Sequence, residues 1–155
     1  MQLSNLLAPR AVKLLPKASS KKRLFCELAD VAADVYGLDR EAALPALQER
    51  EALGPTGVGE GVALPHARIA GLKDVHGVFA RLDTPIDFGS MDRKPVDLVF
   101  ALFAPEDAGV AHLKALALVS RTLRNAGLCS KLRANADTSV LHTILTEAQA
   151  SEAAA

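Results

Sequence analysis

The run Val96-Asp97-Leu98-Val99-Phe100-Ala101-Leu102-Phe103 constrains the fold of this chain more than any other segment. It is apolar at nearly every position after Asp97, with no alternation that would leave one side for water. A strand of that kind is covered on both faces, so it lies inside a sheet and helices must flank that sheet. Further strands are predicted over 11–15, ended by Pro16, over 62–64, and over 75–82, where Val78, Ala80 and Leu82 alternate with Phe79 and Arg81. A short opening turn is expected near 3–7.

Helical periodicity fills the intervals. Ser19 or Ser20 caps a helix whose stripe is Leu24, Leu28, Val31 and Val35, widened by Phe25 and Ala32 and closed by Gly37. Asp39 caps a second helix running to about Leu53, with Leu44 and Leu47 on its face. Pro45 lies inside it, which delays its start or kinks it. Later helices are expected over 108–125, closed by Gly127, over 128–133, and after Thr138, the last with Val140, Leu141, Ile144, Leu145 and Ala148 as its stripe. The predicted class is α/β (α+β): a mixed central sheet of about five strands with helices on both faces. The chain of 155 residues fits one domain, 1–150, with 151–155 a frayed tail.

Composition narrows the task. Lys plus Arg and Asp plus Glu balance at 18 each, so no net field is available to hold nucleic acid or an anionic membrane. One Tyr, no Trp and five Phe leave little aromatic surface for stacking bases. No apolar run reaches the roughly 20 residues of a spanning helix, and the N-terminus lacks a signal-peptide pattern, so no membrane insertion is expected and the predicted setting is cytoplasmic. Cys26 and Cys129 each fall in a helical apolar pattern and read as buried small hydrophobes.

The candidate site is Thr56-Gly57-Val58-Gly59-Glu60-Gly61-Val62-Ala63-Leu64-Pro65-His66-Ala67-Arg68, a glycine-rich turn feeding an apolar run that stops at a histidine. Glycines at alternate positions allow close approach of another body, and Pro65 stiffens the step before the imidazole. Val62 breaks the dinucleotide fingerprint, and no Gly-Lys-Ser/Thr follows for a phosphate loop. No Gly-x-Ser-x-Gly elbow occurs. The four histidines are scattered without metal-ligand spacing, so neither a metal nor a cofactor is expected. His76 reads as a half-buried strand residue and His142 as a helix-surface residue, leaving His66 and His112. An imidazole with a pKa near 6.5 is mostly neutral at pH 7, and its free lone pair can attack phosphorus. Arg50, at the end of the preceding helix, is the candidate guanidinium for the added phosphoryl charge, and His112, early in a later helix, is a candidate to steer it. Lys21-Lys22-Arg23, at a helix N-terminus, reads as solvated charge.

Three elements carry a resemblance that spans nearly the whole chain. They are Arg50-Glu51-x-x-Gly54-x-Thr56-Gly57-x-Gly59-x-Gly61-Val62-Ala63-Leu64-Pro65-His66, then Pro95-Val96-Asp97-Leu98-Val99-Phe100-Ala101-Leu102, and His112-Leu113 opening a helix. Together they resemble the enzyme IIA components of the bacterial phosphotransferase system, of the mannitol/fructose class and most closely the nitrogen-related type. Ala67, Glu60 and Lys114 depart from the pattern of that family. The resemblance implies that His66 is phosphorylated on the nitrogen remote from the backbone, with Arg50 and His112 in supporting positions. It implies a histidine phosphocarrier protein as donor, and regulated targets such as potassium-transport or sensor-kinase proteins. The expected activity is a phosphoryl relay rather than a free-standing enzyme. The alternative is a sugar-specific component that passes phosphate to a separate permease subunit.

Overall fold

The computed structural model describes the backbone of residues 1–154 and the side chains as far as Glu147; the expected tail, 151–155, and the stripe residue Ala148 lie outside the described side chains. The chain runs α1 (Leu3–Leu6), a single 3-10 turn at Pro9–Ala11, β1 (Val12–Leu15), α2 (Lys21–Tyr36) and α3 (Arg40–Leu53). It continues through β2 (Gly57–Gly59), β3 (Val62–Ala63), β4 (His66–Ile69), β5 (His76–Ile86) and β6 (Val96–Pro105), then α4 (Val110–Leu123), α5 (Ala126–Ala134) and α6 (Thr138–Ala154). The sheet has six strands, one more than expected, in the order β1-β5-β6-β3-β2 with β4 also paired to β6.

The central position inferred for residues 96–103 is where β6 lies. β5 runs antiparallel on one side of it, and β3 and β4 run parallel on the other, at Leu98–Val99 and Leu102–Pro105 respectively. Every residue of β6 except Asp97 is buried. Phe100 and Phe103 on it, and Phe79 of β5 opposite Phe100, are all fully buried. On one face α2 and α3 pack on each other and on β5 and β4; on the other α4 packs on β6 and α6 on β1.

Local chemistry explains the boundaries. The Ser20 side chain accepts from the Arg23 amide at 3.1 Å to start α2, and Gly37, at φ 72°, ends it. Asp39 caps α3 through the Glu41 amide. Pro45 neither delays nor interrupts α3: it lies on the exposed side, where the Glu41 carbonyl deprived of its partner can bond water. Buried positions of α2 are Leu24, Phe25, Leu28, Ala29 and Ala32, so the seam is shifted, and Val31 and Val35 sit at its margin. Val140 is exposed, which narrows the α6 stripe to Leu141 and Leu145 with Ile144 beside them.

Two boundaries differ from expectation. Gly127 does not close α4; it lies inside α5, whose cap is Asn125, accepting from the Leu128 amide. His66 does not end a strand but opens β4. Leu64-Pro65 interrupts the line between β3 and β4 because proline has no N–H for the ladder, while its carbonyl still accepts from Leu102 at 2.9 Å. The glycine-rich segment is a hairpin, β2 to β3, turning at Glu60 and Gly61 with φ 55° and 79°. That pair of positive angles suits the two central residues of a type I′ turn. The positive φ of Gly61 is one that a residue with a Cβ adopts only under strain, and a Cβ there would also displace the Arg133 guanidinium, 2.5 Å away.

Candidate functional site

The end of α3, the start of β4 and the first turn of α4 converge on one open cleft of about 580 Å³. Its polar lining is Glu49, Arg50, His66, Arg68 and His112, and its apolar lining includes Leu53 and Leu113. The structure thus brings together all three residues singled out in the sequence, from positions up to 62 apart in the chain (112 − 50). Register places His66: as the first residue of β4 it pairs with Leu102 of the central strand, so a rigid sheet carries it.

The imidazole of His66 is half-buried, with both nitrogens engaged. Nδ1 lies 2.9 Å from the carbonyl of Leu64, and Nε2 lies 3.2 Å from Nε of Arg50. A carbonyl only accepts and a guanidinium only donates, so Nδ1 carries the proton and Nε2 carries the lone pair. The nitrogen remote from the backbone is therefore the nucleophilic one. Burial lowers the His66 pKa below its ordinary value; the Leu64 carbonyl opposes this, and Arg50 adds to the lowering. At pH 7 the ring is neutral, the form that can attack.

Arg50 reaches His66 from the last turn of α3 and is anchored by a second bond, Nη1 to the Gly54 carbonyl at 2.9 Å. His112 occupies the first turn of α4, 5.4 Å from His66 between ring centroids at an angle of 72°. It is 5% exposed, and its Nε2 is buried with no hydrogen-bond partner. Burial, reinforced by the charges of His66 and Arg68, pushes its pKa down to about 4. An orphan nitrogen in the cleft beside His66 is a costly arrangement that a ligand oxygen would relieve. Arg68, one residue beyond Ala67, donates from Nη1 to the Glu106 carbonyl at 3.0 Å and adds positive potential to the cleft.

Around this polar floor the surface is greasy. Leu53 is 85% exposed, Val110 and Leu113 64% each, and Val58 57%. Isolated exposed apolar residues are ordinary, but Leu53 and Leu113 line the same cleft as His66 and Val58 an adjoining one, which suits a docked protein.

The chain matches the family model described as phosphoenolpyruvate-dependent sugar phosphotransferase system, EIIA 2, over residues 5–148. It belongs to that EIIA 2 family. Among relatives, it is 48% identical over 145 residues to a nitrogen regulatory protein of Bradyrhizobium diazoefficiens, covering 94% of this chain and 95% of the other. A nitrogen regulatory protein of Klebsiella oxytoca is 39% identical over 150 residues, covering 96% of this chain and 92% of that one. In three dimensions, the EIIA 2 fold seen here superposes on the crystal structure of nitrogen regulatory protein IIA-Ntr from Neisseria meningitidis with a TM-score of 0.86 at 34% identity, covering 93% and 99% of the two chains.

The remaining histidines have structural partners. His76 stacks on Tyr36 with centroids 4.3 Å apart, and Nε2 of His142 donates to the Leu7 carbonyl at 2.9 Å. Among the described residues no cluster of three metal-ligating side chains occurs, and no helix is long and apolar enough to cross a membrane. Cys129 is buried, its thiol donating to the Leu123 carbonyl, whereas Cys26 is only half-buried.

Sequence reasoning missed Glu51 and Lys21. Lys21 is not solvated charge: its Nζ lies 2.8 Å from Oε1 of Glu51 and 4.7 Å from the centre of the Phe88 ring. A signal was available. Lys21 stands in the first turn of its helix and Glu51 in the last turn of its own, each at the end its charge disfavours. Two such misplacements of opposite sign point to each other.

Proposed function

We propose that this chain is a phosphoryl-accepting regulatory protein of a nitrogen-related phosphotransferase system, taking its phosphate from a histidine phosphocarrier protein onto Nε2 of His66. The observation that carries the reading is the double hydrogen bonding of His66, which leaves the one lone pair of the ring facing the cleft beside a guanidinium.

In the transfer the Nε2 lone pair attacks the phosphorus of the docked carrier's phosphohistidine in line. The donor's N–P bond breaks, and the donor ring, protonated on its other nitrogen, keeps the electron pair and leaves as neutral imidazole. The acceptor retains its proton on Nδ1 against Leu64, so its positive ring charge partly offsets the phosphoryl group. Arg50 must first release Nε2, a long hydrogen bond, and then meets the equatorial oxygens while Gly54 keeps hold of its other arm. A phosphoryl oxygen also supplies the partner that Nε2 of His112 lacks. Donor and acceptor are both imidazoles, so transfer is close to balanced and occupancy follows carrier supply. Added charge on an apolar contact face then changes which partners bind, potassium-transport or sensor-kinase proteins being the expected kind, within the cytoplasm.

Incubation with enzyme I, its phosphocarrier and labelled phosphoenolpyruvate tests this. Wild-type protein labels and His66→Ala does not, with the fold unchanged because a half-exposed imidazole contributes little to the core. Label on folded His66→Ala, or none on wild type, refutes the assignment. The family description names a sugar system, which supports a second reading: transfer onward to a sugar-permease subunit. Passage of label to such a subunit would favour it over regulation by binding.

A further inference from the structure

Glu51 is adjacent to Arg50 yet takes no part in the cleft. Its side chain is 8% exposed, and its carboxylate is surrounded by donors. Oε1 accepts from Lys21 Nζ at 2.8 Å and from the Thr56 amide at 3.1 Å, while Oε2 accepts from the Thr56 hydroxyl at 2.6 Å. Lys21 is itself held by the face of the buried Phe88 ring. A carboxylate this enclosed, with charge-assisted bonds to two other elements, is a fixed point rather than a surface ornament.

What Thr56 does next gives that fixed point a consequence. Its carbonyl accepts from the Leu64 amide at 3.0 Å, across the β2–β3 hairpin. The Leu64 carbonyl in turn accepts the Nδ1 proton of His66. A continuous path thus runs from Lys21 through Glu51, Thr56 and Leu64 to the ring nitrogen that must hold the proton. Glu51 also anchors the other side of the site: its backbone carbonyl accepts from the Gly54 amide at 3.2 Å, and the Gly54 carbonyl holds Arg50. The loop from Gly54 to Thr56 is therefore pinned at both ends by one residue.

We infer that Glu51 and Thr56, clamped by Lys21, are positioning residues that hold the Leu64 carbonyl where it keeps His66 in the Nδ1–H tautomer and keep Arg50 set against Nε2. The tautomer of a histidine is set by the bond its other nitrogen makes, so a loosened Leu64 carbonyl lets the proton move to Nε2, where it blocks attack. The effect on phosphoryl transfer rests on the reading of His66 as acceptor; the effect on the tautomer does not.

Two measurements separate these. Imidazole 15N spectra of unphosphorylated protein at pH 8 report the tautomer directly, and single-turnover transfer from the labelled phosphocarrier reports the rate. In wild type His66 is the Nδ1–H form. In Glu51→Gln, which turns one accepting oxygen into a donor, and in Thr56→Val, which deletes the hydroxyl, Nε2–H becomes populated. Transfer slows in both by roughly 5- to 30-fold, the span of one buried hydrogen bond. Thr56→Ser, which keeps both donors, restores tautomer and rate. Native-like amide spectra confirm folding, and Thr56→Val serves if Glu51→Gln does not fold. Retention of the pure Nδ1–H form in a folded variant overturns the inference, as does a shifted tautomer without loss of rate. Wild-type protein that never labels sinks the proposed function, while the nitrogen spectra still decide the positioning role.

Discussion

Replacing Arg50 by alanine separates the two tasks that the proposed function gives this guanidinium. In the resting protein its Nε caps the nucleophilic lone pair of His66 at 3.2 Å, which opposes attack, and Nη1 is tied to Gly54 at 2.9 Å. During transfer, Nη1 stays with Gly54 and the rest of the fork faces a phosphoryl group carrying more charge than a neutral imidazole. Two charge-assisted bonds that strengthen by about 1–2 kcal/mol each correspond to roughly 30- to 1000-fold in rate. Removing the cap recovers about 0.5–1 kcal/mol, a few-fold, because a hydrogen bond that long is weak. The net expectation for Arg50→Ala is a loss of roughly 10- to 300-fold. Loss of a nearby cation also raises the His66 pKa, while burial, the larger cause of its lowering, still opposes protonation of the ring. Arg50→Lys keeps the charge without the fork and falls between. Rapid-quench transfer from the labelled phosphocarrier measures all three proteins. A folded Arg50→Ala that accepts phosphate within threefold of the wild-type rate would refute the argument.

Other consequences concern stability. Because the folded pKa of His112 is about 4 against about 6.5 unfolded, the unfolded chain binds more protons between those values. Stability is full above pH 6.5 and falls as the pH drops toward 4, by up to about 3 kcal/mol; urea unfolding from pH 7 to 4 measures the slope. His112→Leu removes the His112 part of that slope, leaving the parts due to His66 and His76, whose pKa values burial also lowers, and leaves the protein at least as stable at pH 7, since an orphan buried nitrogen is deleted; an unchanged slope would discredit the account. Ser20→Ala costs about 1 kcal/mol through the lost cap on the Arg23 amide, read by the same denaturation. No change there would mean that tertiary packing, not the cap, sets the start of α2.

Several elements were legible because their determinants are local. The both-faces-apolar run of β6, the Asp39 cap and the left-handed Gly37 are set within a few residues, and each is where the pattern put it; between Ser19 and Ser20 the structure selects Ser20 as the cap of α2. The exceptions share a different physics. Pro45 was tolerated because it faces water, and Asn125 chose the helix after it over the one before; neither orientation is written in spacing. β4 is not among the predicted strands because His66-Ala67-Arg68-Ile69, although it alternates polar and apolar, is only four residues long and follows a proline; it pairs along β6 from Leu102 to Pro105.

The sequence by itself determined the neighbourhood of His66: a glycine-rich turn, a proline and a histidine, with a cationic residue near the end of the helix before it. Composition and short-range pattern suffice for that, because hairpins, caps and strand burial are decided among near neighbours. Which ring nitrogen keeps the proton was decided only by tertiary structure. That choice depends on a carbonyl two residues away being aimed by a hairpin, the hairpin by a carboxylate on α3, and the carboxylate by a lysine on α2. Hydrogen bonds are directional over tenths of an ångström, and no one-dimensional spacing carries direction.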